Sequence, residues 1–430
     1  MTAAPAALRP GASAVAGPVR RPDRPLPGLL RARLVWWRTG RRRRRDLQRP
    51  ALTLRRLGRL RLPGTTAETE LHEARDAYDR PFGLVVVPDT GHASIALAVR
   101  PPTPDLLGAE GAELWIADLG VWLALLAHEP QVAGCTVSVV PDAGAGDPLA
   151  LAVTVQLTWR TRGPQGRTDP AALAAELGGR LPHLVHGLGR CGVGTARPLR
   201  AAELVRAVAA AYDPADPSTA DHDDHDDRDD RDDDRAWPDA GPRLVAEAWD
   251  RLRHDSATSL TWCLSDVPPD QVLSGVLAQL TSAHARTGSR RTRVALLYRP
   301  APGRPGAGDR SAPLPDPPQD WTGLAPGVLA APIAGPEAGA GHLHGEDAVE
   351  VTPPVLTSLV TVSVTGHPDT RDAALDDAVR GVLVGVAPTL RPWLRPLYGS
   401  QAAAFAAAVP AGTLLDVHTL APAVVRETGS

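Results

Sequence analysis

AELWIADLGVWLALLAHEP, residues 112–130, followed by GCTVSVV at 134–140 and LALAVTVQLTW at 149–159, decides how this chain folds. Trp115, Leu119, Trp122 and Leu126 recur at steps of 4, 3 and 4, which places them on one face of a helix that Pro130 ends. The two stretches after it alternate apolar with polar residues across a turn rich in Gly, Asp and Pro, so they read as an antiparallel hairpin. Upstream, PFGLVVVPDTGHASIALAVRPP carries two apolar runs around Asp89, Thr90 and Gly91, a second hairpin signal. TAETELHEARDAYDR before it has the composition of a short helix. Downstream, Asp169 and Pro170 suit the start of a helix with Leu173, Leu177, Leu181, Leu184 and Leu188 on one side and a kink expected at Pro182.

The same order recurs later in the chain. SATSLTWCLSDV at 256–267 reads as a strand, PDQVLSGVLAQLTSAHA as a helix using Leu273, Val276, Leu277 and Leu280, and RTRVALLYRP at 291–300 as a strand. After a Pro- and Gly-rich insert at 301–354, VLTSLVTVSVTG at 355–366 alternates as a strand. RDAALDDAVRGVLVGVAPTL then spaces Leu375, Val379, Val382 and Val386 as a helix face. Both halves close on Arg, Pro, Leu (197–199 and 395–397) and an Ala-rich helix. The expectation is an α+β protein of two tandem ferredoxin-like (βαββαβ) units, each with an appended helix. The units span 70–212 and 241–410, with the insert at 301–354 inside the second and a tail at 411–430.

Between them DHDDHDDRDDRDDDR at 221–235 holds ten Asp, two His and three Arg. Asp and Pro before it and Trp237, Pro238 and Asp239 after it mark 213–240 as an acidic, disordered linker. His222 and His225 there, and His342, His344, Glu346 and Asp347 in the insert, have metal-ligating side chains. Both groups lie in sequence with no rigid second shell, and no metal is expected. His254, Asp255 and Ser256 contain the residue types of a hydrolytic site, but neighbours on a chain point apart, so they read as the start of a strand.

Composition narrows the function. The 46 basic residues are all Arg, so P-loop, kinase and Schiff-base lysine chemistry is excluded within this sequence. Cys135, Cys191 and Cys263 form no CxxC pair and read as small buried residues of a reduced compartment. GxSxG, HExxH and a well-placed GxGxxG are missing from the sequence. No cofactor, enzymatic activity or small-molecule substrate is expected.

The net charge of −3 hides a polarity. Residues 1–62 carry 17 Arg against two Asp, a balance of +15, whereas 221–235 carry −7. The first 62 residues are expected to form a mostly disordered basic arm. Within it Trp36 and Trp37 stand beside Arg38 and the run Arg41, Arg42, Arg43, Arg44 and Arg45. Paired indoles next to dense cationic charge suit the headgroup layer of an anionic membrane; nucleic acid is the alternative partner, and a solvated tail the bland one.

DAYDRPFGLVVVPDTGHASIAL, ELWIADLGVWLALLAHEPQVAGCTVSV, AEAWDRLRHDSATSLTWCLSDVP, RVALLYRP and LRPLYGSQAAAFAAAVPAG follow one another between about 70 and 410. In that order they resemble blocks of an uncharacterised actinobacterial family associated with conjugation-type (type IV) secretion ATPases, more distantly similar to the type VII secretion protein E family. The resemblance implies a non-catalytic part of an envelope-spanning machine, anchored by N-terminal transmembrane helices ahead of a cytoplasmic region. It carries no catalytic residue across. Two features depart from it: the transmembrane pair is missing, so that either the anchor is lost or the sequence starts after it, and the insert at 301–354 is Pro- and Gly-rich where relatives are helical and charged. The expected function is a membrane-peripheral, cytoplasmic scaffold or assembly subunit of a secretion or conjugation apparatus. Its expected partners are other subunits of the machine, its ATPase among them, and the inner face of the membrane. The alternative is a nucleic-acid-binding accessory protein using the Arg arm.

Overall fold

The structure is a computed structural model that describes residues 58–102, 109–126, 129, 131–141, 151–161, 170–216, 235–264, 290–299, 355–386, 388 and 391–419. Among them thirteen strands form one large antiparallel sheet, and five helices pack on it. The first half runs β1 (Arg59–Leu60), β2 (Thr69–Arg75), β3 (Pro81–Val87), β4 (His92–Arg100), α1 (Ala109–Leu126), β5 (Val132–Pro141), β6 (Leu151–Arg160), α2 (Pro170–Arg190), β7 (Thr195–Pro198) and α3 (Ala201–Tyr212). The second runs β8 (Val245–Glu247), β9 (Leu252–His254), β10 (Ala257–Leu264), β11 (Arg290–Arg299), β12 (Val355–Thr365), α4 (Pro368–Gly385), β13 (Arg395–Pro396) and α5 (Gln401–Ala407). The helix expected over 269–285 and the insert lie outside the described residues.

The strand order repeats. In the first half β7, β4, β6 and β5 lie side by side, and in the second β13, β10, β12 and β11 do so in the corresponding order. In both halves the preceding strand, β3 or β9, pairs with the first part of the strand whose latter part takes β7 or β13. The halves join through β5 and β11, where Val139 faces Val294, Val137 faces Leu296 and Cys135 faces Tyr298.

One face of the sheet packs under α1, α2 and α4. Val137, Val139, Val153, Val155, Leu157 and Trp159 from the hairpin strands meet Trp115, Leu119, Trp122 and Leu126 of α1, all buried as their spacing predicts. Leu173, Leu177, Leu181 and Leu188 of α2 are buried too, and the helix continues through Pro182. Leu375, Val382 and Val386 seat α4 and its C-cap.

The alternation within β5 and β6 points Thr136, Ser138, Thr154, Gln156 and Thr158 away from those helices, as for a sheet with one solvated face. Instead that face is covered by α3, α5 and the segment after α5. Several of its polar side chains bond one another or the covering chain: Ser94 Oγ lies 2.8 Å from Thr158 Oγ1, and Ser138 Oγ donates to the Ala408 carbonyl at 2.9 Å. Burial on both faces explains why β3 and β4 are almost continuously apolar.

Four readings from sequence change. The stretch 66–80 is not a helix: β2 pairs with β3 from Glu70 opposite Val86 to Arg75 opposite Pro81. The turn is built by the Asp76 carboxylate, which accepts from the backbone N–H groups of Tyr78 and Arg80, each at 2.9 Å, while Asp79 adopts φ +62°. Cross-strand pairing overrides the local helical preference there. The residues read as the end of the basic arm, 58–62, belong to the body, with Leu60 and Leu62 1% and 3% exposed. The ends of the acidic linker are structured as well: Arg235 pairs with Asp216 at 3.1 Å, and Trp237 is buried with its indole N–H donating to Thr69 Oγ1. Residues 411–419, read as tail, lie against the sheet with Leu414, Leu415 and His418 buried.

Candidate functional site

His254, Asp255 and Ser256 form the tight turn between β9 and β10, and the chain sends their side chains three ways. Asp255 takes φ +31°, and its carboxylate accepts from the backbone N–H groups of Arg243 and Leu244, holding β8 against the turn. Ser256 Oγ accepts from Ala215 N at 3.2 Å, just beyond α3. His254 points under the helices, so the three do not meet, in keeping with a strand-start reading.

What His254 does meet was not legible from spacing. Its Nδ1 faces the backbone oxygen of Tyr212, the last residue of α3, so Nδ1 carries a proton and donates. Nε2 then accepts from Ser259 Oγ at 2.7 Å, and Ser259 Oγ lies 2.7 Å from Ser363 Oγ on the next strand. A serine hydroxyl on an imidazole whose other nitrogen is anchored is the geometry of an activated nucleophile. Access is not: His254 is 2% and Ser259 1% exposed, under the rings of Phe405, centred 4.9 Å from the imidazole, and Tyr212, 5.7 Å from it. A substrate carbonyl would have to displace one of those rings to reach Ser259. Burial, reinforced by Arg293 and Arg371 and opposed by the Tyr212 carbonyl, pushes His254 down to about 4, so the ring is neutral at neutral pH. The row supplies an orphan helix C-terminal carbonyl with a donor and pins α3 to β9, β10 and β12.

Of the cysteines, Cys135 and Cys263 are buried and Cys191 is half-buried. Cys135 and Cys191 are both pushed up by burial, Cys191 also by Asp118, which keeps their thiols protonated. An open cleft is lined by Asp213, Asp216, Arg235, Asp239, Arg243 and Ser256, where the acidic run leaves and re-enters the body. Its charges are of both signs, and the Arg235–Asp216 pair lies within it.

The residues that sequence reading selects for partner contact, Trp36, Trp37, Arg38 and Arg41 to Arg45, lie outside the described residues, as do His222, His225, His342 and His344. Their attachment point is described. Leu60 and Leu62 share an apolar cluster with Trp237 and Ala240, and a Cβ at Gly241 would lie 2.8 Å from Leu60 Cδ1. The arm and the C-terminal end of the acidic run therefore enter the body at one place, next to the terminal strand of the sheet. Among the described residues no helix is long and apolar enough to cross a membrane. Compared with known proteins, the chain matches no family model and no curated protein.

Proposed function

We propose that this protein is a non-catalytic, membrane-peripheral scaffold or assembly subunit of a secretion or conjugation apparatus, held at the cytoplasmic face of the membrane by its Arg arm. Two ferredoxin-like units fused through their edge strands form its body in this reading, which the repeated strand order supports. One observation carries the proposal: an arm, residues 1–57, of 15 Arg against two Asp, with Trp36 and Trp37 beside Arg41–Arg45, is followed directly by Leu60 and Leu62, which are buried at the end of the sheet. A basic residue near an anionic leaflet contributes about 1 kcal/mol, so Arg38 and Arg41 to Arg45 together supply on the order of 6 kcal/mol before the indoles insert. Among the described residues, the His254–Ser259–Ser363 row holds α3 on the sheet, which fits a structural role.

The test is co-flotation with vesicles containing phosphatidylserine. The full chain is expected to float with them and a chain lacking residues 1–57 to stay behind. Equal flotation of the two, or none by either, contradicts the proposal.

A further inference from the structure

The segment after α5 leaves the second half and lies across the first. Gly412 N donates to Gln156 Oε1 at 2.9 Å, Thr66 N donates to the His418 carbonyl at 2.7 Å, and Thr65 bridges to Thr419. Gly412, at φ +77°, comes so close to the sheet that a Cβ would lie 2.8 Å from Val85 Cγ1 and 3.4 Å from Ser94 Oγ.

The segment ends in a clasp of three side chains. His418, 1% exposed, receives the Leu414 backbone N–H on Nδ1 at 3.0 Å, which places the proton of the neutral ring on Nε2. That Nε2 lies 2.9 Å from Thr90 Oγ1 in the turn before β4 and 3.2 Å from His92 Nδ1 on β4. His92 Nδ1 is in turn 2.9 Å from the same hydroxyl. Both nitrogens of His418 are thus occupied in the neutral state: one accepts from the backbone and the other donates to the first half. A second proton must go to Nδ1, where it opposes the Leu414 N–H. The same assignment disfavours a metal ion, because coordination through Nε2 would need the proton moved to Nδ1.

The charged groups facing the ring come from three elements. His92 on β4 and Arg299 on β11 disfavour a cation, while Asp416, which pairs with Arg299, and the Gly412 backbone favour one. Burial outweighs the favourable pair and, with His92 and Arg299, pushes His418 down to about 4.

We propose that the Thr90–His92–His418 clasp is an acid-released latch, which holds residues 411–419 on the first half at neutral pH and lets them go when His418 gains a proton, uncovering Ser94 and Gln156. The sign follows from linkage. A ring whose value falls from 6.5 when released to about 4 when seated holds its full stabilisation above 6.5 and loses it as the pH falls toward 4. Between about pH 7.5 and pH 5 the seated state loses about 30-fold in population relative to the released one.

Hydrogen exchange of peptides covering 411–419, corrected for the intrinsic pH dependence, reads this directly. The wild type is expected to lose about 30-fold of protection there at pH 5 while β4 and β6 stay protected. His418→Gln, whose side-chain oxygen can accept from Leu414 but cannot take up a proton, is expected to show the same protection at both values. Proton NMR of the wild-type imidazoles checks the latch without a variant, since the His418 ring must titrate well below 6.5. Unchanged protection in the wild type, acid release in His418→Gln, or a His418 ring titrating at 6.5 with the segment still protected overturns the proposal. So does stoichiometric zinc binding that His418→Gln abolishes.

Discussion

Gln401, the first residue of α5 and fully buried, is bonded at both ends of its side chain. Its Oε1 accepts from Thr261 N at 2.7 Å, and its Nε2 donates to the carbonyls of Thr261 at 3.1 Å and Leu397 at 3.0 Å. The amide therefore continues the β10 edge just where the two-residue β13 stops. Gln401→Ala leaves the Thr261 backbone donor without that partner beneath α5, at about 1 to 3 kcal/mol when buried unpaired, whereas the carbonyls of Thr261 and Leu397 still accept from the N–H groups of Leu397 and Ser400. Water entering the vacated space recovers part of that, so the expected loss is on the order of 2 kcal/mol by urea denaturation. Gln401→Glu distinguishes the cause from lost volume, because a carboxylate faces two carbonyls and its pKa rises above the unfolded value of about 4.3. Its stability is then greatest when protonated and is lost as the pH rises, so the deficit relative to wild type at the same pH should shrink toward about pH 4.5. A Gln401→Ala loss below about 1 kcal/mol, or a Gln401→Glu deficit independent of pH, refutes this account of how α5 is held.

Two further outcomes follow from the packing. Trp122→Ala should cost on the order of 3 to 5 kcal/mol through a cavity under α2, where Trp122 Nε1 lies 3.4 Å from the place of a Cβ on Gly187; a variant that melts like wild type removes α1 from the core. Cutting an engineered protease site within 221–234 should leave the halves co-eluting on size exclusion, because β5 pairs with β11 and the chain after α5 crosses back to β4 and β6; separation into two stable pieces contradicts the shared sheet.

How far the sequence carried depended on whether a signal was local and periodic. The stripe Trp115, Leu119, Trp122 and Leu126 gave α1 because a single helix face repeats visibly, and the recurrence of Arg, Pro, Leu marked the close of both halves, although not that the short strands β7 and β13 lie there. TAETELHEAR misled, because its Glu and Ala favour a helix locally and only the partner strand Pro81–Val87, together with the Asp76 turn, makes it extended. Leu60, Leu62 and Trp237 were assigned to an arm and a linker because charged neighbours set the composition, although each is a buried side chain. The second layer was the larger omission. Ser138, Gln156 and Thr158 look solvent-facing in an alternating strand, and nothing local announces that the segment after Gln401 returns to cover them. The His254–Ser259–Ser363 row joins positions over a hundred residues apart, so only the paired strands bring it together.

The measurement that bears most directly on the proposed function compares Trp36→Ser/Trp37→Ser with wild type on two ligands, anionic vesicles and duplex DNA, with every Arg retained. Salt weakens both interactions, but interfacial burial of the indoles matters only for the membrane. A membrane-peripheral scaffold predicts a loss of vesicle binding of at least 10-fold with duplex binding almost unchanged. Tight duplex binding by an arm that ignores the vesicles would contradict it and make the nucleic-acid reading the correct one.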